Sequence, residues 1–207
     1  MSESTNQPID LGAVKRGFSN PSLDSQVTFR LLMDALSRPG TVKDLMEAPE
    51  PPRGINQATG GIALTLFDFE TVVWIDPALR GGETEAWLRF HCGCPLTTDP
   101  LEAAFAVVTD ISSAPALTDF NQGDAKYPDL STTVIMEITS MAGGLETPLR
   151  GPGINGSIAV SPDGLPAEFW TQMAENGSQF QFGVDLFLTS GSSVMGLPRT
   201  VRVGGND

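Results

Sequence analysis

The chain has 207 residues, of which 40% are hydrophobic and 18% are charged, a balance typical of globular domains and not of disordered chains. Its net charge of -13 argues against nucleic acid or an anionic membrane as a partner, because phosphate binding depends on clustered Lys and Arg. No apolar run approaches the ~18 residues that a membrane helix needs, and the polar start MSESTNQPID predicts no signal peptide.

The chain is expected to form one domain in the cytoplasm. Its two cysteines, Cys92 and Cys94, are too few for a disulfide scaffold and suit a reducing compartment. We expect a polar arm over residues 1–17, one domain over 18–203 and a short tail over 204–207. The Pro-rich stretch at 47–54 is the best internal break, but it is too short for a domain linker.

The first predicted element is a helix that follows the polar arm. Ser22 is a plausible N-cap after Pro21, and Pro39-Gly40 should end the helix. Its expected apolar face consists of Val27, Leu31, Leu32, Ala35 and Leu36. Residues 55–67 fit either a helix or a loop followed by a strand, and the periodicity leaves both open.

Shorter elements are predicted in the middle of the chain. A turn at Asp68–Thr71 should precede a strand at Val72–Ile75, and Trp87–Phe90 is interpreted as another strand. Asp99 is the expected N-cap of a short helix that opens at Pro100 and runs through Glu102 and Phe105. Ala106–Thr109 either continues that helix or begins a strand.

The second half contains the most secure strand, Thr132–Ile138, which is rich in β-branched residues. The Gly- and Pro-rich residues 139–157 are predicted to be turns. The remaining expected elements are a strand at Ser157–Val160, a helix at Pro166–Glu175 with Asn176-Gly177 as its C-cap, and a strand at Val184–Leu188. This alternation predicts an α/β fold with a mixed β-sheet flanked by helices.

His91, Cys92 and Cys94 form the first chemical candidate, since imidazole and thiolate are good zinc ligands. Structural zinc sites usually place at least two residues between their cysteines, and a fourth ligand is missing here. We therefore favour a strand end that turns at Gly93, with a cysteine as a small buried hydrophobe.

The segment Gly151–Gly156 matches G-x-G-x-x-G by spacing and is the second candidate. A dinucleotide loop should leave a strand and open a helix, whereas this segment contains Pro152 and precedes a predicted strand. A tight turn with positive φ, at positions such as Gly151 and Gly153, is the favoured interpretation.

Two arginines form the third candidate. Arg150 precedes the glycine turn and Arg199 lies in Gly196–Thr200, so either could hold a phosphate beside backbone N–H groups. We favour instead a buried or interface ion pair with one of the many acids. Asp185, inside the apolar run Val184–Leu188, is the most interesting acid, although alternation could place it on the exposed face.

A pyridoxal-phosphate enzyme would need a lysine after a buried strand. The chain offers Lys15 in the polar arm, Lys43 past a helix end and Lys126 in a polar loop. None has that placement, so we expect no cofactor. No pair of carboxylates can be singled out as an acid–base couple.

Several separated strings resemble the PhnH family, the H subunit of bacterial carbon–phosphorus lyase. They are spread from about Phe18 to Thr200 and occur in the order of that family. The strings are Phe18, Asp24–Gln26, Phe29-Arg30, Met33–Gly40, Leu64–Thr71, Trp87–His91, Leu149–Ile154, Phe182–Asp185 and Gly196–Thr200.

The resemblance implies a fold similar to pyridoxal-phosphate-dependent transferases, without the cofactor lysine and without pyridoxal phosphate. It implies a homodimer that joins the G, I and J subunits of a core complex. It also implies a part in making ribose 1-methylphosphonate 5-triphosphate from ATP and methylphosphonate, with the G, I and L proteins. It supplies no catalytic residues for this subunit.

Two functions therefore stand side by side. The leading one is an accessory subunit of the phosphonate-processing complex, which assembles or shapes a site whose catalytic groups lie on partners. The alternative is a stand-alone enzyme or phosphate- or nucleotide-binding protein that uses the Arg150–Gly156 turn and Arg199.

Overall fold

The computed structural model describes residues 14–204, which form four α-helices and ten β-strands. The helices are α1 (Pro21–Ser37), α2 (Gln57–Leu66), α3 (Glu83–His91) and α4 (Phe169–Ser178). The strands are β1 (Val42–Asp44), β2 (Val73–Ile75), β3 (Leu96–Thr97), β4 (Phe105–Val108), β5 (Thr133–Glu137), β6 (Thr147–Arg150), β7 (Ile158–Val160), β8 (Asp185–Ser190), β9 (Ser193–Leu197) and β10 (Arg202–Val203). No helix within residues 14–204 has both the length and the apolar character needed to cross a membrane.

Seven strands form one mixed sheet in the order β1-β9-β8-β5-β4-β2-β3. The strands from β8 to β3 run parallel to one another, whereas β9 is antiparallel to both β8 and β1. The predicted α/β class with a mixed sheet flanked by helices is confirmed. The similarity to pyridoxal-phosphate-dependent transferases stays a prediction.

Strand β5 connects the two halves of the hydrophobic core. Its side chains alternate, as the two-residue period of a strand requires, so that Val134 and Met136 face one layer and Ile135 faces the other. The Ile135 layer contains α1, α2 and α3 with Leu32, Ile62 and Trp87. The opposite layer contains α4 and the small sheet, with Phe169, Met173, Leu149 and Val160 among its buried residues.

Three short strands form a second, antiparallel sheet in the order β10-β6-β7. Leu149 of β6 is fully buried against the Val134 side of the main sheet. The prediction that residues 139–157 are all turns is therefore wrong at β6. The strand forms because its backbone is hydrogen-bonded to β7 on one side and to β10 on the other. The surrounding Gly and Pro residues favour turns and give no local sign of this pairing.

Helix α1 is confirmed, but its predicted N-cap is wrong. The cap is Asn20, whose side chain accepts a hydrogen bond from Leu23 N, and its backbone N–H donates to Asp24 Oδ2 at 2.8 Å. These reciprocal bonds place Pro21 at the first helical position, where its missing N–H costs nothing. Val27 was expected on the buried face but is 37% exposed, and Thr28 is buried in its place.

The predicted strand at Trp87–Phe90 is wrong, because this segment belongs to helix α3. Glu83 and Glu85 lie in its first turn and Arg89 lies in its last turn, which suits the helix dipole. An ion pair between Arg89 and Glu85 at 2.9 Å adds i,i+4 support. Helical spacing then directs Trp87 and Leu88 into the core, where each is 1% exposed.

The other ambiguous segments have definite structures. Residues 55–67 contain helix α2, and the predicted helix at Asp99 is a single 3₁₀ turn over Pro100–Glu102, after which β4 begins at Phe105. The predicted C-cap at Asn176-Gly177 is wrong, since α4 continues to Ser178. Asn176 instead uses its side-chain amide to bond both the N–H and the C=O of Val184.

Gly196 of β9 allows α1 to cross the sheet at close range. A Cβ atom at this position would lie 2.6 Å from the backbone C and O atoms of Ala35. Such a contact cannot be relieved by a side-chain rotation, because the opposing atoms belong to the helix backbone. The packing of α1 on the sheet therefore requires glycine at position 196.

Replacing Gly196 with Ala should lower the free energy of unfolding by about 1–3 kcal/mol through overpacking against α1. Gly82→Ala is the matched control, since its Cβ would lie 3.5 Å from the nearest atom, Leu79 O. That control should cost less than about 1 kcal/mol. Urea denaturation measures both values, and equal losses would contradict the role assigned to Gly196.

Candidate functional site

The carboxyl ends of β2 and β4 lie side by side at a switch point of the sheet. From β2 the chain passes through α3, on the Ile135 side, to reach β3. From β4 it passes through Leu117 and Phe120, on the opposite side, to reach β5. Ligands of open α/β sheets bind outside the carboxyl ends of strands where neighbouring connections diverge in this way.

Asp76 follows β2 directly and lies at this edge of the sheet. Its Oδ2 atom accepts hydrogen bonds from Thr109 Oγ1 at 2.8 Å and Asp110 N at 2.7 Å, and a further bond from Thr109 N. The residue is only 1% exposed, and its Oδ1 atom is buried without a partner among residues 14–204. Asp76 therefore fixes the backbone that follows β4 and keeps one unsatisfied acceptor in the interior.

Glu137 ends β5 at the same edge of the sheet. Its Oε1 atom accepts a hydrogen bond of 2.7 Å from the backbone N–H of Asn56, the N-cap of α2. Burial raises the pKa of Glu137 and the charge of Asp76 adds to that effect, while the hydrogen bonds from Asn56 and Thr59 oppose it. A carboxyl group with a raised pKa can exchange a proton closer to neutral pH than an ordinary glutamate.

A buried network of hydroxyl groups supports Glu137. The side chain of Asn56 donates to Thr189 Oγ1 at 3.1 Å and accepts from Thr59 N at 2.9 Å. The Oγ1 atoms of Thr59 and Thr189 are 2.9 Å apart, and both residues are fully buried. These contacts tie the start of α2 to β8 and thereby hold the Glu137 carboxylate in position.

A cleft of about 400 Å³ opens beside these groups. It is lined by Thr109–Ser112 after β4, by Glu137–Thr139 after β5, and by Gly164. Carboxylate, hydroxyl and backbone groups dominate this lining, so the cleft can accept hydrogen bonds and exchange a proton through Glu137. The sequence alone did not single out Asp76 or Glu137, although Asp76 follows the predicted strand Val72–Ile75 and Glu137 lies near the end of the predicted strand Thr132–Ile138.

Asp185 and Arg199 lie at the opposite, amino edge of the parallel strands, where they bind each other. Arg199 contacts Asp185 through NH2 at 2.6 Å and Nε at 3.2 Å, and its backbone N–H donates to the same carboxylate at 2.8 Å. The guanidinium also donates to Pro128 O at 2.9 Å and to the hydroxyl of Ser131. The ion pair favoured from residue type is thus present for Arg199, with Asp185 as its acid, whereas no ion pair of Arg150 is found within residues 14–204.

Arg150 ends β6, and the glycine turn after it leads into β7 and not into a helix. Gly151 and Gly153 have φ angles of 137° and 85°. A Cβ on Gly153 would lie 2.0 Å from Ser37 O, so the turn packs directly against the end of α1. The favoured interpretation as a tight turn with positive φ is confirmed, and the context of a dinucleotide loop is absent from this segment.

His91, Cys92 and Cys94 lie at and after the end of α3, not on the strand expected for them. His91 donates from Nε2 to Lys15 O at 2.9 Å, and the thiol of Cys92 points to Ala63 O at 3.6 Å. Burial raises the pKa of Cys92 to about 12 and that of Cys94 to about 11. Within the described range, no three His, Cys, Asp or Glu residues are grouped as a metal ion requires.

Residues 14–17 of the expected polar arm contact the domain, whereas residues 1–13 lie outside the described range. Lys15 O accepts hydrogen bonds from both Trp87 Nε1 and His91, each at 2.9 Å. Val14 packs against the core layer that contains Trp87. Residues that pack against the domain therefore begin before residue 18.

Replacing Arg199 with Gln should lower the free energy of unfolding by about 2–4 kcal/mol, because it leaves the carboxylate of Asp185 without its partner. Arg89→Gln is the matched control at an ion pair whose arginine side chain is 52% exposed, and it should cost less than about 1 kcal/mol. Urea denaturation of the two variants compares them directly. Similar losses would show that Arg199 does not stabilise the amino edge.

Glu137 should make the protein less stable as pH rises. Because the pKa of Glu137 is raised in the folded chain, protonated Glu137 makes its full contribution to stability below the ordinary pKa of 4.5. That contribution is lost as pH rises through the pKa of the folded chain. Glu137→Gln removes this titration, so the stability of the variant relative to the parent should increase with pH above 4.5. Urea denaturation at several pH values measures this difference, and a constant difference would contradict the prediction.

Comparison with known proteins identifies relatives along nearly the whole chain. Residues 16–204 match the family of bacterial phosphonate metabolism protein (PhnH). A Rhizobium meliloti (strain 1021) protein named "Alpha-D-ribose 1-methylphosphonate 5-triphosphate synthase subunit PhnH" is 39% identical over 186 residues, covering 90% of this chain and 93% of that protein. A Stutzerimonas stutzeri protein named "Putative C-P lyase subunit protein HtxG" is 30% identical over 182 residues, covering 86% and 85%. The chain belongs to the bacterial phosphonate metabolism protein (PhnH) family.

Proposed function

We propose that this chain is an accessory subunit of a carbon–phosphorus lyase complex in phosphonate catabolism. Within it, the chain contributes to the synthesis of α-D-ribose 1-methylphosphonate 5-triphosphate from ATP and methylphosphonate. The observation that carries this proposal is the 39% identity, over 90% of the chain, with a protein named as a subunit of that synthase. The second relative, named as a C-P lyase subunit, supports the same assignment.

The accessory role is supported by the state of Arg199, Cys92 and Cys94, because the arginine is bound within the chain and the two thiols are unreactive. The guanidinium of Arg199 is committed to Asp185, Pro128 and Ser131. The raised pKa values of Cys92 and Cys94 keep both thiols protonated and poorly nucleophilic near neutral pH. The carboxyl-edge cleft with Glu137 is the surface through which we expect the chain to shape a site shared with partner subunits.

The proposed assembly is a homodimer that joins the G, I and J subunits in the cytoplasm, without a cofactor of its own. Helix α1 carries four large apolar side chains that are partly exposed, which is unusual for the surface of an isolated domain. They are Leu23, Val27, Phe29 and Met33, with exposed fractions of 54%, 37%, 47% and 41%. This face of α1 supports the proposal that the chain works in contact with other proteins.

The alternative function, a stand-alone phosphate- or nucleotide-binding protein, relied on Arg150 and Arg199 together. Because Arg199 already uses its donors within the chain, a ligand would have to displace Asp185 to reach it. The geometry therefore favours the subunit role over this alternative in its original form. Arg150 differs, because no carboxylate of residues 14–204 forms an ion pair with it.

Omission of the chain from a reconstituted synthase tests the proposal. The other subunits would be purified together and given ATP and methylphosphonate, with and without this chain. We expect phosphonate-containing product only when the chain is present, because the partners' site is incomplete without it. Equal product formation in its absence would refute the subunit role.

The same assay tests whether the carboxyl-edge cleft takes part. Glu137→Gln should reduce the rate of product formation by about tenfold or more, because it removes a titrating group from the cleft. Glu168→Gln, at an exposed position before α4, is the control and should leave the rate unchanged. Equal rates for the two variants would show that Glu137 and the cleft do not contribute to product formation. The subunit role would not be affected by that result.

A further inference from the structure

Two arginines lie opposite each other on adjacent strands of the small sheet. Arg150 of β6 and Arg202 of β10 are direct partners in the antiparallel register. Directly opposed residues of an antiparallel pair project to the same face, with Cβ atoms roughly 4.5–5.5 Å apart. Like charges in this arrangement destabilise a sheet unless an opposite charge lies between them.

No carboxylate of residues 14–204 forms an ion pair with either arginine. The ion pairs found in this range belong to Arg38, Lys43, Arg89 and Arg199. This is unexpected in a chain with 25 acidic and 12 basic residues, where acids are abundant. The Nε atom of Arg150 is moreover buried without an acceptor in the described part of the chain, which is costly for a charged donor.

The backbone around Arg150 is held in place on both sides. Leu149, the preceding residue, is fully buried in the core. Gly151, the following residue, has a φ angle of 137° and approaches Thr200 O so closely that a Cβ would lie 2.8 Å from it. This close packing fixes the base of the Arg150 side chain and the path of the neighbouring β10.

Arg202 lies beside Arg150 at the surface of the molecule. The residue is exposed and borders a cavity of about 400 Å³, which is also lined by Gly177, Ser178 and Phe180. Because the two arginines project from adjacent strands to the same face, both can contact one ligand. A guanidinium donates two parallel hydrogen bonds to an oxyanion, so the pair offers two such forks and two positive charges.

We propose that Arg150 and Arg202 form a binding site for a tetrahedral oxyanion of the phosphate or phosphonate class. A tetrahedral dianion presents enough oxygen atoms to accept from both forks and neutralises both charges, whereas one carboxylate has two oxygens and one charge. The site deepens the proposed function by naming a ligand class.

Titration calorimetry on the full purified chain tests this site. Methylphosphonate and inorganic phosphate should bind, and acetate should bind at least about tenfold more weakly. Arg150→Gln and Arg202→Gln should each weaken phosphate binding by at least about tenfold, because each removes one charged fork. Arg89→Gln, which removes the same charge from an exposed site on α3, should leave the affinity unchanged.

Three results would overturn the proposal: no heat of binding for either phosphorus oxyanion, unchanged affinity in both Gln variants, or acetate binding as tightly as phosphate. If Arg150→Gln does not fold, Arg202→Gln still decides, since its exposed side chain is not part of the core. Failure here would be distinct from failure of the proposed function. A chain that binds no phosphate but is required by the reconstituted synthase would keep its subunit role and lose this site.

Discussion

The burial of β5 on both of its faces is the constraint on which the rest of the structure depends. Val134 and Ile135 are both fully buried, yet they face opposite layers of the core. A strand enclosed in this way cannot shift its register by one residue without exchanging the two layers. The position at which β5 ends is fixed as a result. Glu137 therefore lies at the carboxyl edge of the sheet, where it accepts a hydrogen bond from Asn56 at the start of α2.

The sequence predicts those parts of the fold whose physical cause is local. The β-branched residues of Thr132–Ile138 indicate a buried strand because burial on both faces selects for them. Pro39-Gly40 predicts the end of α1, which stops at Ser37. By contrast, β1 and β10 are only three and two residues long and form through long-range antiparallel pairing, which leaves little local signal.

The segment Trp87–Phe90 shows how local preference misleads. Its aromatic residues favour a strand, but Glu83 and Glu85 before the segment and Arg89 within it stabilise a helix. The candidate site illustrates a different limit. Asp76 follows one strand that the sequence predicts and Glu137 lies near the end of another, but the strand order brings the two residues to one edge, and that order is a property of the folded sheet.

The arginines show why residue type alone could not assign a role. Arg199 and Arg150 both lie beside glycine-containing segments, yet one is bound to Asp185 and the other faces a second arginine. The difference follows from where each lies, Arg199 at the amino edge of the main sheet and Arg150 on the central strand of the small sheet. Ion pairing at the amino edge stabilises the domain, while the unmatched charge on the small sheet remains available to an anion.

The most direct test of the account is growth on methylphosphonate as the sole phosphorus source. A Rhizobium meliloti strain that lacks its own PhnH subunit, the relative with 39% identity, would be given this chain in its place. The account predicts that growth returns, because the chain supplies the missing subunit. Absence of growth from cells that contain the folded chain bound to the other subunits would contradict it.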